Sequence, residues 1–171
     1  GMTDQPRPVA DPAAQAGQED LRDRAHALAA GSAAVPGRGA RPWLLDTLQA
    51  RETFLQSAVA FLRDGQGEQA LSNAAEWMLD NAYLAQQALR EVGHDMPFSF
   101  YDQLPRLSAG PLRGYPRCYE LAQYLVLESA ARVDMERVRR FVTGYQEVQP
   151  LTIGEIWALP VMLRWSVLSI L

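Results

Sequence analysis

A chain of 171 residues, 48% of them hydrophobic, can bury one core, and we do not expect a second domain. Its formal net charge of −4 argues against nucleic acid as a partner, because phosphate binding requires a concentrated cationic face. The single cysteine, Cys118, excludes an internal disulfide framework and is typical of a reducing compartment. His26 and His94 are far apart, so the sequence predicts no metal site and no cofactor, and we interpret Cys118 as an inert thiol.

The N-terminal region has few large apolar side chains. Residues 3–40 are rich in Ala, Pro, Gly, Gln and Asp, so most of this region cannot offset its ordering entropy. We therefore predict a flexible arm over residues 1–40, in which Gly1 is a cleavage scar, and one helical domain over residues 41–171. The weak exception within the arm is residues 19–30, where a short helix could be lined by Leu21, Ala25, Leu28 and Ala29.

Apolar residues at helical spacing predict the first two helices of the domain. The first covers residues 44–63, and the second covers residues 69–92 and is closed by Gly93. Six Pro and Gly residues between His94 and Pro116 then predict a long, ordered connection with no more than a short helical turn.

The helical pattern returns after this connection. It predicts a helix over residues 117–132 and a further helix that Asp134 caps and that Gln149 and Pro150 break. No alternating strand pattern of useful length occurs. The sequence therefore predicts an all-α fold, an irregular bundle of about five helices with one long Pro/Gly-rich crossover.

The last predicted helix has a clear start and no encoded end. Thr152 and Glu155 have the spacing of a reciprocal capping box, which places the first helical residue near Ile153. Pro160 lies inside the helical run and predicts a bend. No Gly, Asn or polar run closes the helix before Leu171, so we expect a domain that is truncated at its C-terminal end.

Residues 151–171 also have the length of a membrane span. However, Glu155 and Arg164 would both enter the hydrocarbon, where a central Arg costs about 2.5 to 3.5 kcal/mol. Pro160 would in addition remove a backbone hydrogen bond. We therefore prefer a kinked core helix.

Two acidic side chains on the second predicted helix invite a catalytic interpretation. Glu76 and Asp80 are one turn apart, and a glycosidase requires two carboxyl groups across a bond. Such pairs are common in helices, and the capping box already accounts for Glu155. We therefore predict no catalytic residue and assign five side chains to a candidate buried polar network: Glu76, Asp80, Arg117, Glu155 and Arg164.

Aromatic residues beside these polar groups could stack on sugar rings. At helical spacing such residues belong more often to a core. The candidate glucan-binding set is Trp77, Tyr101, Tyr115 and Arg117.

Three runs carry a family resemblance: EWMLDNAYL at 76–84, FYDQLPRLSAGPLRGYPRCYELA at 100–122, and FVTGYQEVQPLTIGEIWALPVMLR at 141–164. Together they resemble the amino-terminal region of bacterial cyclic β-1,2-glucan synthases, and the resemblance extends over about residues 45–171. Its most specific parts are the GYPR run at 114–117, the YQ pair at 145–146 and the LTIGE run at 151–155.

The resemblance implies a very large inner-membrane parent enzyme. Such enzymes polymerise glucose from UDP-glucose into β-1,2-glucan, shorten it by phosphorolysis and close it into a ring. Their transferase, membrane-spanning and phosphorylase parts lie downstream of the matching region, so no catalytic residue carries over to this chain. The resemblance thus implies a non-catalytic module on the cytoplasmic side of the inner membrane, with those downstream domains of the same polypeptide as its partners.

Two alternatives remain, a β-1,2-glucan-binding module and an independent carboxylate-dependent glycoside hydrolase. If the module serves docking or structural support of those downstream domains, we expect the last helix to expose apolar side chains. Through these side chains the isolated chain would form a homodimer. These side chains are Trp157, Trp165, Val167, Leu168 and Leu171.

Overall fold

The computed structural model of the chain describes residues 11–36, 43–64, 73–129 and 133–170, although the side chains of residue 170 and of several residues in the second and third helices fall outside this description. In the described part the chain is an all-α bundle with one small antiparallel sheet. The elements in chain order are α1 (Pro12–Ala30), β1 (Ala34–Val35), α2 (Trp43–Asp64), α3 (Asn73–Asp95), α4 (Phe98–Tyr101), β2 (Arg106–Leu107), α5 (Arg117–Glu128), α6 (Met135–Val148) and α7 (Ile153–Ile170).

The helices pack in pairs. α1 lies along α6, α5 lies along α7, and α3 contacts both α2 and α7. Large side chains fill the core between these pairs, and those that are fully buried include Tyr101, Leu121, Phe141, Tyr145 and Met162. The predicted all-α bundle is therefore confirmed.

Local sequence signals placed most helix limits well. α2 begins one residue before the predicted start and ends one residue after the predicted end. The Asp134 side chain accepts a hydrogen bond from the Glu136 amide at 3.0 Å, as expected of an N-cap. The predicted stop at Gly93 is wrong, because α3 continues to Asp95, just ahead of Pro97.

The prediction of a flexible N-terminal arm does not hold for residues 11–36, which lie in α1 and β1. Asp11 caps α1 by accepting a hydrogen bond from the Ala13 amide, with Pro12 in the first turn. Leu21, Ala25 and Ala29 are buried, as the weak helical pattern suggested. Their burial against α6 supplies the apolar contact that composition alone did not reveal.

The long connection between α3 and α5 is ordered, as predicted. It contains the single turn α4 and the strand β2, whose Arg106 and Leu107 pair with Val35 and Ala34 of β1. Gly110 and Gly114 have φ values of +85° and +86°, a conformation that favours glycine. The connection therefore holds the end of α1 close to the start of α5.

The last helix, α7, runs through Pro160 without interruption. Its buried side chains, among them Ala158, Leu159 and Met162, belong to the core. Over the residues that the structure describes, none of the helices combines the length and the apolar character that crossing a membrane requires.

Candidate functional site

The first turn of α7 is built by the capping box that the sequence predicted. The Glu155 amide donates to the Thr152 hydroxyl at 3.1 Å, and the Thr152 amide donates to Oε1 of Glu155 at 3.0 Å. The reciprocal pair satisfies two backbone donors that the helix itself leaves without acceptors. It also fixes the direction in which the Glu155 carboxylate leaves the helix.

The same carboxylate forms a buried ion pair with Arg117, the first residue of α5. Nη2 of Arg117 lies 2.6 Å from Oε1 of Glu155, and Nε lies 3.0 Å from Oε2. The two side chains are only 7% and 0% exposed. Burial disfavours the charge on Arg117, but its hydrogen bond and its charge interactions, above all with Glu155, together outweigh this effect and raise the pKa of Arg117. The raised pKa keeps the Arg117 guanidinium charged beside the Glu155 carboxylate.

The Arg117 guanidinium also reaches the segment between α6 and α7. Nη1 donates to Oε1 of Gln149 at 3.4 Å, and Nη2 donates to the Pro150 carbonyl at 3.2 Å. We call the group formed by Arg117, Gln149, Pro150, Thr152 and Glu155 the clamp. It joins the first turns of α5 and α7 through a planar, bidentate contact that a lysine could not reproduce.

A second buried polar group lies where α1 ends. The fully buried Ser32 hydroxyl lies 2.6 Å from the Leu28 carbonyl and also contacts the Glu120 carboxylate on α5. Burial raises the pKa of Tyr145 on α6, and the adjacent Ser32 hydroxyl partly offsets this effect. Ser32 therefore ties the end of α1 to α5, a role that its sequence context did not reveal.

The predicted polar network exists only in part. Arg117 and Glu155, both members of the candidate network, pair with each other, whereas Arg164 pairs with Asp95 at 2.7 Å across a half-exposed site. Asp80 is exposed on α3. Glu76 also belongs to α3, but its side chain lies outside the described residues.

The predicted glucan-binding residues do not form one open surface. Tyr101 is fully buried, which raises the pKa of its hydroxyl, and Arg117 belongs to the clamp. Tyr115 is half-buried, with its ring centroid 5.6 Å from that of Tyr119. The Trp77 side chain lies outside the described residues. A glucan-binding role for this set stays a prediction, and Tyr101 offers no ring face to a saccharide in this structure.

The single cysteine is also withdrawn from solvent. Cys118 is fully buried, and burial raises the pKa of its thiol, which disfavours the nucleophilic thiolate. In the described ranges no three His, Cys, Asp or Glu side chains gather closely enough to hold a metal ion.

A shallow cleft between α1 and α6 contains three arginines. Arg22 pairs with Glu147, and both Arg139 and Arg140 pair with Glu136. Because carboxylates already pair with these cations, the cleft does not have the character of an anion site.

One surface that sequence reasoning found only in part is the outer face of α7. Ile153 is 71% exposed, Ile156 is 42% exposed and Trp157 is 72% exposed, and Pro160 is exposed as well. We call these four residues the outer α7 face. Of these four residues, Trp157 was among those predicted to be exposed at a docking surface, and the other three were not. The signal that could have found them was that α7 is apolar nearly all round, which indicates a second covered face.

Trp165, in contrast, was expected at a docking surface and is only 2% exposed. Arg51 of α2 lies over its ring, 5.6 Å from the centroid, and donates to the carbonyls of Leu168 and Ser169. Val167 and Leu168 are half-buried, and Leu171 lies outside the described residues. Of the five residues expected at that surface, Trp157 is therefore the one that the described structure places fully on the outside.

Comparison with known proteins gives one informative match. No protein-family model matches the chain. Over 152 residues, 88% of its length, the chain is 34% identical to the cyclic beta-(1,2)-glucan synthase NdvB of Rhizobium meliloti (strain 1021), and it spans 5% of the length of that protein. The resemblance that the sequence motifs predicted is thus confirmed, and the chain is homologous to a segment of a cyclic β-(1,2)-glucan synthase.

Proposed function

We propose that this chain is a non-catalytic helical module of a cyclic β-(1,2)-glucan synthase, and that it provides docking or structural support for the other domains of that enzyme. Glucosyl transfer from UDP-glucose, at the cytoplasmic side of a bacterial inner membrane, belongs in this proposal to those other domains. The observation that carries the proposal is the clamp, because the most specific sequence motifs supply its Arg117, Thr152 and Glu155 and its hydrogen bonds serve the fold.

Glu155 illustrates this point. A general acid or base needs a carboxyl group that can exchange a proton with a substrate. Both oxygens of Glu155 accept hydrogen bonds from Arg117, one of them also accepts from the Thr152 amide, and the side chain is fully buried. The group therefore stabilises the bundle and has no route to a substrate in this conformation.

The two other short motifs have similar roles. Gly114 of the GYPR run adopts a positive φ at the end of the connection, and Arg117 of the same run enters the clamp. Tyr145 of the YQ pair is fully buried beside Ser32, and the Gln146 side chain accepts a hydrogen bond from the Leu151 amide at 3.3 Å. Motifs that serve the fold in this way favour a supporting module over a catalytic one.

The test is kinetic and uses a full-length synthase that contains this segment. We expect Arg117→Met to lower the amount of folded enzyme several-fold, while kcat and the KM for UDP-glucose of each folded molecule stay unchanged. Arg164→Met is the matched control, because Arg164 also pairs with one carboxylate but at a half-exposed site, where an ion pair contributes little. A normal amount of folded enzyme with kcat reduced tenfold would assign Arg117 to catalysis and overturn the proposal.

The alternatives are tested with the purified 171-residue chain. We expect β-1,2-glucan to change neither its tryptophan fluorescence nor its amide chemical shifts, and we expect no hydrolysis of the glucan. Saturable binding would favour a glucan-binding module. Hydrolysis that disappears in Glu76→Gln without loss of folding would favour the independent hydrolase.

A further inference from the structure

The outer α7 face has the spacing of a helix that is covered on two sides. Ile153, Ile156, Trp157 and Pro160 recur at i, i+3, i+4 and i+7, which places them on one stripe about 100° wide. The opposite side of the helix, with Ala158, Leu159 and Met162, is already covered by the chain's own core. The exposed side of α7 therefore has the same apolar spacing that normally marks the buried side of a helix.

The segment from Asp95 to Phe100 lies beside this stripe. Gly154 packs against the Phe100 ring of α4, which a Cβ added at position 154 would meet at 3.8 Å, and Arg164 pairs with Asp95 at 2.7 Å at the other end of the stripe. These two contacts place both ends of the segment from Asp95 to Phe100 next to α7. Phe98, which lies between them in the chain, is 50% exposed. A partner would thus meet a preformed surface, which lowers the entropy lost on binding.

Charge argues against a lipid surface as the occupant. An amphipathic helix that binds anionic membranes carries several Lys or Arg beside its apolar face. Within the described helix α7, Arg164 is the one cationic residue, and Asp95 already pairs with it. The chemistry fits an uncharged, apolar protein surface.

Area argues against a second copy of the chain. The four side chains together present on the order of 400 Å² of apolar surface, if a large aromatic side chain of roughly 150–250 Å² sets the scale. A stable interface between separate proteins buries about 800 Å² on each partner. A tethered partner needs less, because attachment in one polypeptide raises the effective concentration to roughly the millimolar range.

We infer that the outer α7 face is the docking site for an uncharged, apolar segment of the same synthase polypeptide, outside the 171 residues of this chain. This inference rests on the proposed function. The homologous synthase supports it, because the matched chain spans only 5% of that protein's length and leaves ample tethered sequence to supply the partner.

Site-specific photo-crosslinking tests this inference in a full-length synthase that contains the segment. A benzophenone amino acid replaces Trp157, and after irradiation the attached peptides are identified by mass spectrometry. We expect an intramolecular cross-link to one apolar peptide outside this chain, at a yield at least fivefold above the control. The control carries the same probe at Tyr83 of α3, an aromatic residue that is 62% exposed.

Three outcomes would overturn the inference: cross-links between two copies of the chain, cross-links to lipid, and a yield no higher than at Tyr83. A second measurement uses Trp157→Ser. In the isolated chain this variant should melt within about 2 °C of the wild type, because Trp157 packs little within the chain. In the full-length enzyme it should speed limited proteolysis several-fold, and an unchanged rate would contradict the docking site.

The two proposals fail in different ways. If Arg117→Met lowers the amount of folded synthase but position 157 gives no cross-link, the supporting role stands and the docking site lies elsewhere. If Arg117→Met instead reduces kcat at a normal folded amount, the supporting role itself fails, whatever position 157 contacts.

Discussion

The interfaces of α1 with α6 and of α5 with α7 are held together by different forces. Between α5 and α7 the buried ion pair of Arg117 and Glu155 sits beside large apolar side chains. Between α1 and α6 the backbones approach closely at Ala25 and Gly144, and the flanking ion pair of Arg22 with Glu147 and the hydrogen bond between His26 and Glu147 are partly exposed. Solvent screens the second set of charges but not the first.

We infer from this difference that α5 and α7 form the more stable part of the bundle and that α1 is attached more weakly. A buried charge pair is costly to break, because the remaining ion stays in a low-dielectric site. Exposed pairs at α1 contribute little, and its buried apolar residues are mostly small. We therefore expect perturbations of the clamp to affect the whole domain, and perturbations of α1 to stay local.

The largest expected effect comes from Glu155→Gln. Glutamine keeps the capping hydrogen bonds but removes the charge that Arg117 needs, so we expect a loss of about 3 to 5 kcal/mol of unfolding free energy in urea titrations. The double variant Arg117→Met with Glu155→Leu removes both charges and should recover part of this loss. A loss below about 1 kcal/mol for Glu155→Gln would mean that the ion pair does not hold the two helices together.

Gly144→Leu should release α1. A Cβ at position 144 would already lie 3.2 Å from the Ala25 Cβ, so a large side chain cannot fit without separating the helices, at a cost of about 1 to 3 kcal/mol. Hydrogen exchange should rise in α1 and stay unchanged in α5 and α7. Adding Ala25→Gly should restore part of the protection, and equal loss in all helices would contradict a separable α1.

Thr152→Ala isolates the cap from the ion pair. It removes the hydroxyl that accepts from the Glu155 amide and leaves Arg117 paired, so we expect a loss of about 1 kcal/mol. The same urea titration measures it. A loss as large as that of Glu155→Gln would show that the cap positions the carboxylate and that the two effects are coupled.

The smallest expected effect is the loss of α1 docking at acidic pH. Hydrogen bonds from Arg22 and then from His26 hold the pKa of Glu147 below its usual value. This contribution to α1 docking is therefore complete above the unfolded pKa of Glu147 and is lost as the pH falls through the lower, folded pKa. The hydrogen-exchange protection factors of the α1 amides should fall in that acidic window before those of the α5 amides fall. Glu147→Gln should remove this difference, and a variant that keeps it would assign the effect to another group.

Much of the fold could be predicted because its signals are short-range. The capping box at Thr152, the cap at Asp134 and the limits of α2 depend on residues within one or two helical turns. The candidate site was predicted less well. Arg117 and Glu155 were both in the predicted network, but their pairing across 38 positions and the partner of Arg164 depend on the path of the chain.

The sequence by itself determined the all-α fold class, the start of α7 and the resemblance to the glucan synthases. Periodicity, capping and motif spacing all depend on residues that are close together in the chain. Tertiary structure decided that residues 12–30 form a docked helix. The small buried side chains of α1 lose contact with water only by packing on α6, and the missing side chain of Gly144 leaves the space for Ala25 to do so. It also decided which apolar side of α7 is covered. The inner side meets α5 and α3, and Trp157 stays outside because no described element of this chain packs over it.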